Sequence, residues 1–408
     1  MRKINPHDFS VATRTTSRDI NRQIALNLVR EHQPLSRADL ARRMQVRRGV
    51  VSVLVNELIQ EELIYEGATG EAARGRKPTF LHVRTQNRLV VSVDVRFSQT
   101  YLALSDFGGR QLALDVFDTV FVPAKLIKIV ARRIAKLLDA HKARPFCEGI
   151  GVVVPGIVDH RTGQILNAPT LGWRGVDIRD ALAKETGMPV HIENAAKACA
   201  LAQMWHGHGD AAGAHSFAHV SVSDGVGVGL VINGELVRGH DNIAGEFGHL
   251  PLSIEGPRCM CGASGCWEAY ISNIATLSRY FGHNLSITEP KDLLADGRNR
   301  LSITDLILRA RSGDAKAMTA IQTTARYLGL GLASVIHTVN PQRIYIGGEI
   351  TAAWDMIERT VRAALAERAL TEEAVRTPIL LAAFVDYPRL RGAAALVAAP
   401  TFAAPRVA

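Results

Sequence analysis

The sequence has no apolar run long enough to cross a bilayer, and its opening residues, Met1-Arg2-Lys3-Ile4-Asn5-Pro6, lack the apolar core of a secretory signal. Its most apolar stretch, Gly392 to Ala399, is alanine-rich and is expected to stop at Pro400. The expectation is a cytoplasmic protein that does not insert into membranes. Cysteine is scarce. There are five in 408 residues, an odd count that argues against a disulfide framework. Cys147 and Cys199 stand alone in apolar surroundings and read as core residues. The other three, Cys259, Cys261 and Cys266, fall within eight residues. What the chain does have is a globular composition, 47% hydrophobic and 21% charged, with length for two or three domains.

Positive charge is unevenly placed. The net charge is +9, and residues 1–90 hold 16 Lys and Arg against 9 Asp and Glu. The rest of the chain is close to neutral. A basic terminal segment on a near-neutral body suggests a nucleic-acid module attached to something else. A solvated basic face would give the same count, so the pattern of elements has to decide.

That pattern is three helices and a hairpin over residues 17–83. Ser17 is placed to cap a helix from Arg18 to Glu31, with Ile20, Ile24, Leu26, Leu28 and Val29 as its apolar positions. Pro34 breaks it. Ser36-Arg37-Ala38-Asp39 resembles a capping box with Asp in place of Glu, opening a short helix through Leu40, Ala41 and Met44. A tight turn leads to a third helix, Arg47 to Glu61, with an apolar stripe of Val51, Leu54, Val55, Leu58 and Ile59. Short helix, turn and longer helix make a helix-turn-helix whose third helix would lie in the major groove. Arg47, Arg48, Ser52 and Asn56 would face the bases, Arg donating twice to guanine and Asn pairing with adenine. A Gly-rich loop, Gly67 to Gly75, and the segment Arg76 to Val83 complete a hairpin wing, whose Arg74, Arg76 and Lys77 would reach phosphates or the minor groove. A small helical oligomerisation domain with a charged surface is the alternative.

From Arg88 the pattern becomes strands alternating with helices, an α/β body in two lobes. Leu89–Val95 reads as a buried strand, Thr100–Leu104 and Gln111–Phe117 as the next two, then a helix Ala124–His141, then a strand ending at Val154-Pro155-Gly156. The sharpest motif follows. His249 and Cys259-Met260-Cys261-Gly262-Ala263-Ser264-Gly265-Cys266 offer one imidazole and three thiols within 18 residues, the donor set of a structural zinc site. Buried free cysteines would not gather in a polar, Gly-rich loop.

Glu246-Phe247-Gly248-His249 with Cys259-x-Cys261-Gly262-x-x-Gly265-Cys266-x-Glu268-x-x-x-Ser272 resembles the signature of the ROK family of bacterial repressors and sugar kinases. The resemblance runs from the winged helix of the repressor branch to Gly392-Ala393-Ala394. It implies an actin-like ATPase fold in two lobes, preceded by a winged helix-turn-helix, with sugar bound in the interlobe cleft. The domains would be residues 1–84 and 85–408. In the family the Glu and His of the first motif contact sugar hydroxyls, here Glu246 and His249, and the same His joins the cysteines on zinc. The Glu after the last cysteine, here Glu268, and an Asn, here Asn194 in His191-Ile192-Glu193-Asn194, also bind sugar. Carboxylates accept hydroxyl hydrogen bonds and Asn both donates and accepts, so the chemistry agrees. Asn167–Trp173 resembles the loop that closes near the sugar.

The family's kinases need more. Their phosphate loop, Asp-x-Gly-Gly-Thr, is Asp94-Val95-Arg96-Phe97-Ser98 here, without glycines for close backbone approach. Their catalytic base, the Asp after the sugar-binding Asn, is Ala195. Glu193 could replace it only if the loop were rearranged. Ser223–Gly229 and Gly347-Gly348 keep the glycines of two further nucleotide loops, but turns in this fold need them anyway. Retained sugar contacts with a lost base describe a sensor. The expectation is a non-enzymatic, sugar-responsive repressor that binds operator DNA as a homodimer or homotetramer. An active sugar kinase with a DNA-binding appendage, and a regulator controlled by a partner protein, are the alternatives.

Overall fold

The computed structural model describes residues 14–69, 77–206, 214–285, 301–382 and 387–403. The chain divides into two compact units. One comprises Met1–Leu89, Asp106–Gly108 and Ala398–Ala408; the other comprises Val90–Ser105 and Gly109–Val397. Among the described residues no helix is long and apolar enough to cross a membrane.

In the first unit, helix α1 (Arg14–His32) buries Ala25, Leu26 and Val29 completely or nearly so. Two expectations change here. Ser17 lies inside the helix rather than capping it, and Ile24 is 43% exposed. At 100° per residue Ile24 sits on the opposite side from Leu26, so a face built on Leu26 and Val29 takes in Ala25 instead. Strand β1 (Leu35–Ser36), not foreseen from the sequence, pairs with a wing strand, Leu35 opposite Leu81. Ser36 then caps α2 (Arg37–Met44) in a full capping box with Asp39, as the sequence indicated. Gln45 in the left-handed region makes the tight turn. Helix α3 (Arg48–Gln60) buries Val51, Leu54, Val55 and Leu58, while Ile59 is only half-buried. Two ion pairs, Arg18–Glu57 and Arg22–Glu61, tie α1 to α3. Strands β2 (Ile64–Thr69) and β3 (Thr79–Val83) form the antiparallel wing. Gly67 therefore belongs to a strand rather than to the wing loop.

The second unit holds helices α4 (Pro123–Ala140) and α5 (Arg179–Thr186) and two five-stranded sheets. Strands β4 (Leu89–Val95), β5 (Gln99–Asp106), β6 (Gln111–Asp118), β7 (Cys147–Val154) and, after the small three-stranded sheet β8 (Ile157–Val158), β9 (Gln164–Ala168) and β10 (Trp173–Asp177), β11 (Val190–Asn194) give the order β11-β7-β4-β5-β6. All seven residues of β4 are buried, polar Ser92 and Asp94 among them. Cys199 is buried as expected, but Cys147 at the start of β7 is only half-buried. The second sheet runs β14-β13-β12-β15-β16, from β12 (Phe217–Val222), β13 (Val226–Ile232), β14 (Glu235–Leu236), β15 (Arg343–Gly347) and β16 (Ile379–Leu381). Helices Ala315–Val339 and Trp354–Ala366 cover it and enclose a large apolar core. Gly329 and Gly331 serve that core. A Cβ at Gly329 would meet Val361 O at 2.2 Å, and one at Gly331 would meet the Trp267 ring at 2.0 Å. The last helix, Pro388–Phe402, runs past Pro400, which lies in its final turn.

Candidate functional site: a cleft with one open half

A cleft in the second unit is lined by the ends of β4, β7, β11, β12 and β13 and the loops that follow them. Asn194, Glu246, His249 and Glu268, the four expected sugar contacts, all line it. So do Pro169 and Thr170 of the expected closing loop.

Asn194 has a structural task as well. Its Oδ1 accepts from Ala196 N (2.8 Å) and Lys197 N (3.2 Å), capping helix α6 (Ala195–His206), and its Nδ2 donates to Gly156 O (2.7 Å). One amide hydrogen is left for a ligand. Glu246 has its carboxyl raised by burial, with Lys197 and His249 pulling it back down. Glu268 accepts from Val226 N at 2.8 Å through one oxygen and from Cys259 Sγ at 3.3 Å through the other.

Glu193 is 1% exposed and does not line the cleft. Its carboxylate accepts from Asn194 N (2.9 Å), Asn242 Nδ2 (3.2 Å) and Arg238 Nε (3.1 Å). Lys197, 2% exposed, donates to Asn242 O. This buried network joins the end of β11 to the loop carrying Glu246. Sequence reading missed Lys197 and Asn242, because neither lies in a motif.

The other half of the cleft carries the expected phosphate-loop position. Arg96 and Phe97 line it at the expected phosphate-loop position. Arg96 Nε donates to Asp94 Oδ2 at 2.6 Å and its guanidinium lies 4.4 Å over the Tyr101 ring. Burial disfavours the Arg96 charge, and Asp94 more than restores it. Arg389, distant in sequence, lies 3.5 Å from the second Asp94 oxygen and lines the same cleft. Only the glycine-less loop hinted at this arrangement; Arg389 gave no sequence signal. Ala195, the lost base position, lies on the cleft wall.

Beside the sugar half, His249, Cys259, Cys261 and Cys266 bring one donor atom each within 4.8 Å of one another. Cys259 Sγ lies 3.9 Å from His249 Nδ1, and Cys261 Sγ lies 3.7 Å from Cys266 Sγ. Tetrahedral bonds of about 2.3 Å to sulfur place two ligands roughly 3.8 Å apart, so the cluster fits a metal ion. Burial first, then Glu268, pushes the Cys259 thiol up, and burial does the same for Cys266. A cation is what would hold them as thiolates.

In the first unit Arg47, Arg48 and Asn56 are exposed and Ser52 is half-buried. Ser52 Oγ donates to Arg48 O (3.0 Å), and Asn56 Oδ1 accepts from Arg37 Nη2 (2.9 Å). Arg37 also pairs with Glu66 of the wing at 2.9 Å, so it links α3 to the hairpin. Lys77 is exposed; Arg74 and Arg76 lie outside the described residues.

A family model described as the ROK family matches residues 91–399, and a MarR family model matches residues 23–75. The fold is that of a solved ROK family transcriptional regulator, a homologue of the E. coli MLC protein, with a TM-score of 0.78 at 26% identity over 95% of this chain and 97% of that one. The chain belongs to the ROK family. It is 30% identical over 368 residues to the xylose repressor of Bacillus subtilis (strain 168), covering 89% of this chain and 91% of the relative. It is also 33% identical over 289 residues to a glucokinase of Halalkalibacterium halodurans, covering 68% of this chain and 84% of that enzyme.

Proposed function

We propose that this protein is a cytoplasmic, sugar-responsive repressor whose ROK body senses and does not phosphorylate. The observation that carries the reading is the asymmetry of the cleft. Hydroxyl-binding groups line one half, and Arg96, paired with Asp94, fills the phosphate-loop position of the other. Catalysis needs a base and a phosphate cradle in the transition state, whereas sensing needs only ground-state complementarity. Ala195 is no base, and Glu193 is committed to Arg238 and Asn242.

Zinc held by His249, Cys259, Cys261 and Cys266 would fix the loop carrying Glu268 and the segment carrying Glu246. Its task there is structural. Glu246, Glu268 and the remaining Asn194 hydrogen bind sugar hydroxyls. Arg47, Arg48, Ser52 and Asn56 on α3, with Arg74, Arg76 and Lys77 on the wing, bind operator DNA, and a homodimer or homotetramer matches palindromic half-sites. Sugar shifts operator affinity by binding one arrangement of the assembly better than another.

The test is a thermal-shift screen of metal-loaded protein against free and phosphorylated sugars, followed by operator binding with and without each hit. The name of the Bacillus relative puts xylose first in the panel. A ligand that binds the folded state raises the melting temperature. No stabilising sugar in a broad panel would turn the reading toward control by a partner protein. The glucokinase relative sustains a second reading, an active kinase, which ADP formation with sugar and Mg-ATP would establish.

A further inference from the structure

The solvent face of α3 is not polar. Opposite its buried stripe, Val50 is 44% exposed and Val53 is 53% exposed, one turn apart. Arg43, Arg47 and Arg48, a few residues earlier in the sequence, are exposed. Beside Val50 stands Gly49, where an added Cβ would meet nothing within 4 Å. Glycine is the poorest helix former after proline. Neither packing nor backbone geometry accounts for Gly49, and among the described residues the two valines are left exposed.

We propose that Val50 and Val53 read the C5-methyl groups of thymine in the major groove of duplex DNA, and that Gly49 lets the α3 backbone approach the base edges. This rests on the DNA-binding reading above and specifies which bases are read. The occupant follows from charge and shape. The apolar pair sits within a strongly basic segment, with 16 Lys and Arg against 9 Asp and Glu in residues 1–90, which suits a polyanion. The thymine methyl is the apolar feature that B-form DNA displays in its major groove. Duplex RNA lacks that methyl, and its deep, narrow groove does not admit a helix. With Val50 and Val53 on methyls, Arg47 and Arg48 at the helix entry reach guanine or phosphates.

The full-length protein is used to select bound duplexes from a random DNA pool. In the enriched site each thymine is then replaced by uracil, which pairs identically and lacks the methyl. At one or two positions per half-site the replacement weakens binding about threefold to tenfold, the worth of one or two buried carbons. The double substitution Val50→Ala, Val53→Ala abolishes that thymine–uracil difference. Gly49→Ala leaves the melting temperature unchanged or higher and weakens operator binding. If the enriched duplex binds equally well with uracil throughout, the methyl reading is overturned and DNA binding stands. If no duplex is enriched, both readings fall together. The valines are exposed, so thermal unfolding of the double variant matching wild type excludes misfolding as the cause.

Discussion

The two halves of the cleft have the same scaffold and opposite fates. On the proposed sugar side, Glu246, His249 and Glu268 line the cleft. On the other side, the β4–β5 turn presents Arg96 and Phe97 to the same cleft, and Asp94 pairs with Arg96 and Arg389. Strand β13, which follows the β12–β13 turn, has two glycines with a reason inside the fold. A Cβ at Gly227 would meet Ala196 Cβ at 2.7 Å, and one at Gly229 would meet Ala196 O at 2.3 Å. Helix α6 needs those glycines whether or not ATP ever binds. Glycines that packing requires in β13 are therefore no sign of a nucleotide site.

The largest expected effect lies on the sugar half. Removing the proposed zinc, by chelation or by Cys259→Ser with Cys266→Ser, is expected to cost about 3 kcal/mol or more of stability. It is also expected to abolish any sugar-induced rise in melting temperature. Metal analysis and thermal unfolding check this; a purified chain with no metal and an unchanged melting temperature in the double variant would remove zinc from the account. Next is Glu246→Ala. Losing a carboxylate that accepts hydroxyl hydrogen bonds should weaken sugar binding about a hundredfold, roughly 2.7 kcal/mol. Ala195→Asp, by contrast, is expected to leave sugar affinity within about threefold, less than one ordinary hydrogen bond. It should also produce no ADP, since Arg96 and Phe97 still fill the phosphate position. Turnover in that variant would break the comparison between the halves.

On the nucleotide half, Gly229→Ala isolates the packing role. Helix α6 backbone cannot yield as a side chain would, so overpacking should cost about 2 kcal/mol. Chemical denaturation with and without ATP reads both quantities. Equal destabilisation in the two conditions is expected, and a protective effect of ATP in wild type would show that the turn still serves nucleotide.

Local signals carried much of this architecture. The capping box at Ser36 and Asp39, the apolar stripe of α3, the buried run Leu89–Val95 and the cysteine loop all have their causes within a few residues, and all appear where expected. The sequence misled at Ser17, because α1 begins before it, and at Ile24, because several apolar positions fit more than one face. Pairings across long separations left no trace at all. Arg389 reaches Asp94, Lys197 reaches Asn242, and β1 adds to a wing strand, each through tertiary placement rather than spacing.

A further effect concerns a buried histidine of β12. His219, on β12, is 1% exposed, and neither ring nitrogen has a partner among the described residues. Burial, with Arg389 nearby, pushes its imidazole down to about 4 from 6.5. The unfolded chain therefore takes up a proton between those values while the folded chain does not. Stability must fall as the pH drops through that window. Between pH 6.5 and 5.5 wild type should lose about 1 kcal/mol more than His219→Leu. Denaturant titrations at the two pH values measure the difference. Equal losses would mean that the His219 ring is solvated in the folded chain. A steeper loss in wild type would mean that β12 keeps the ring sealed from water, neutral through that window.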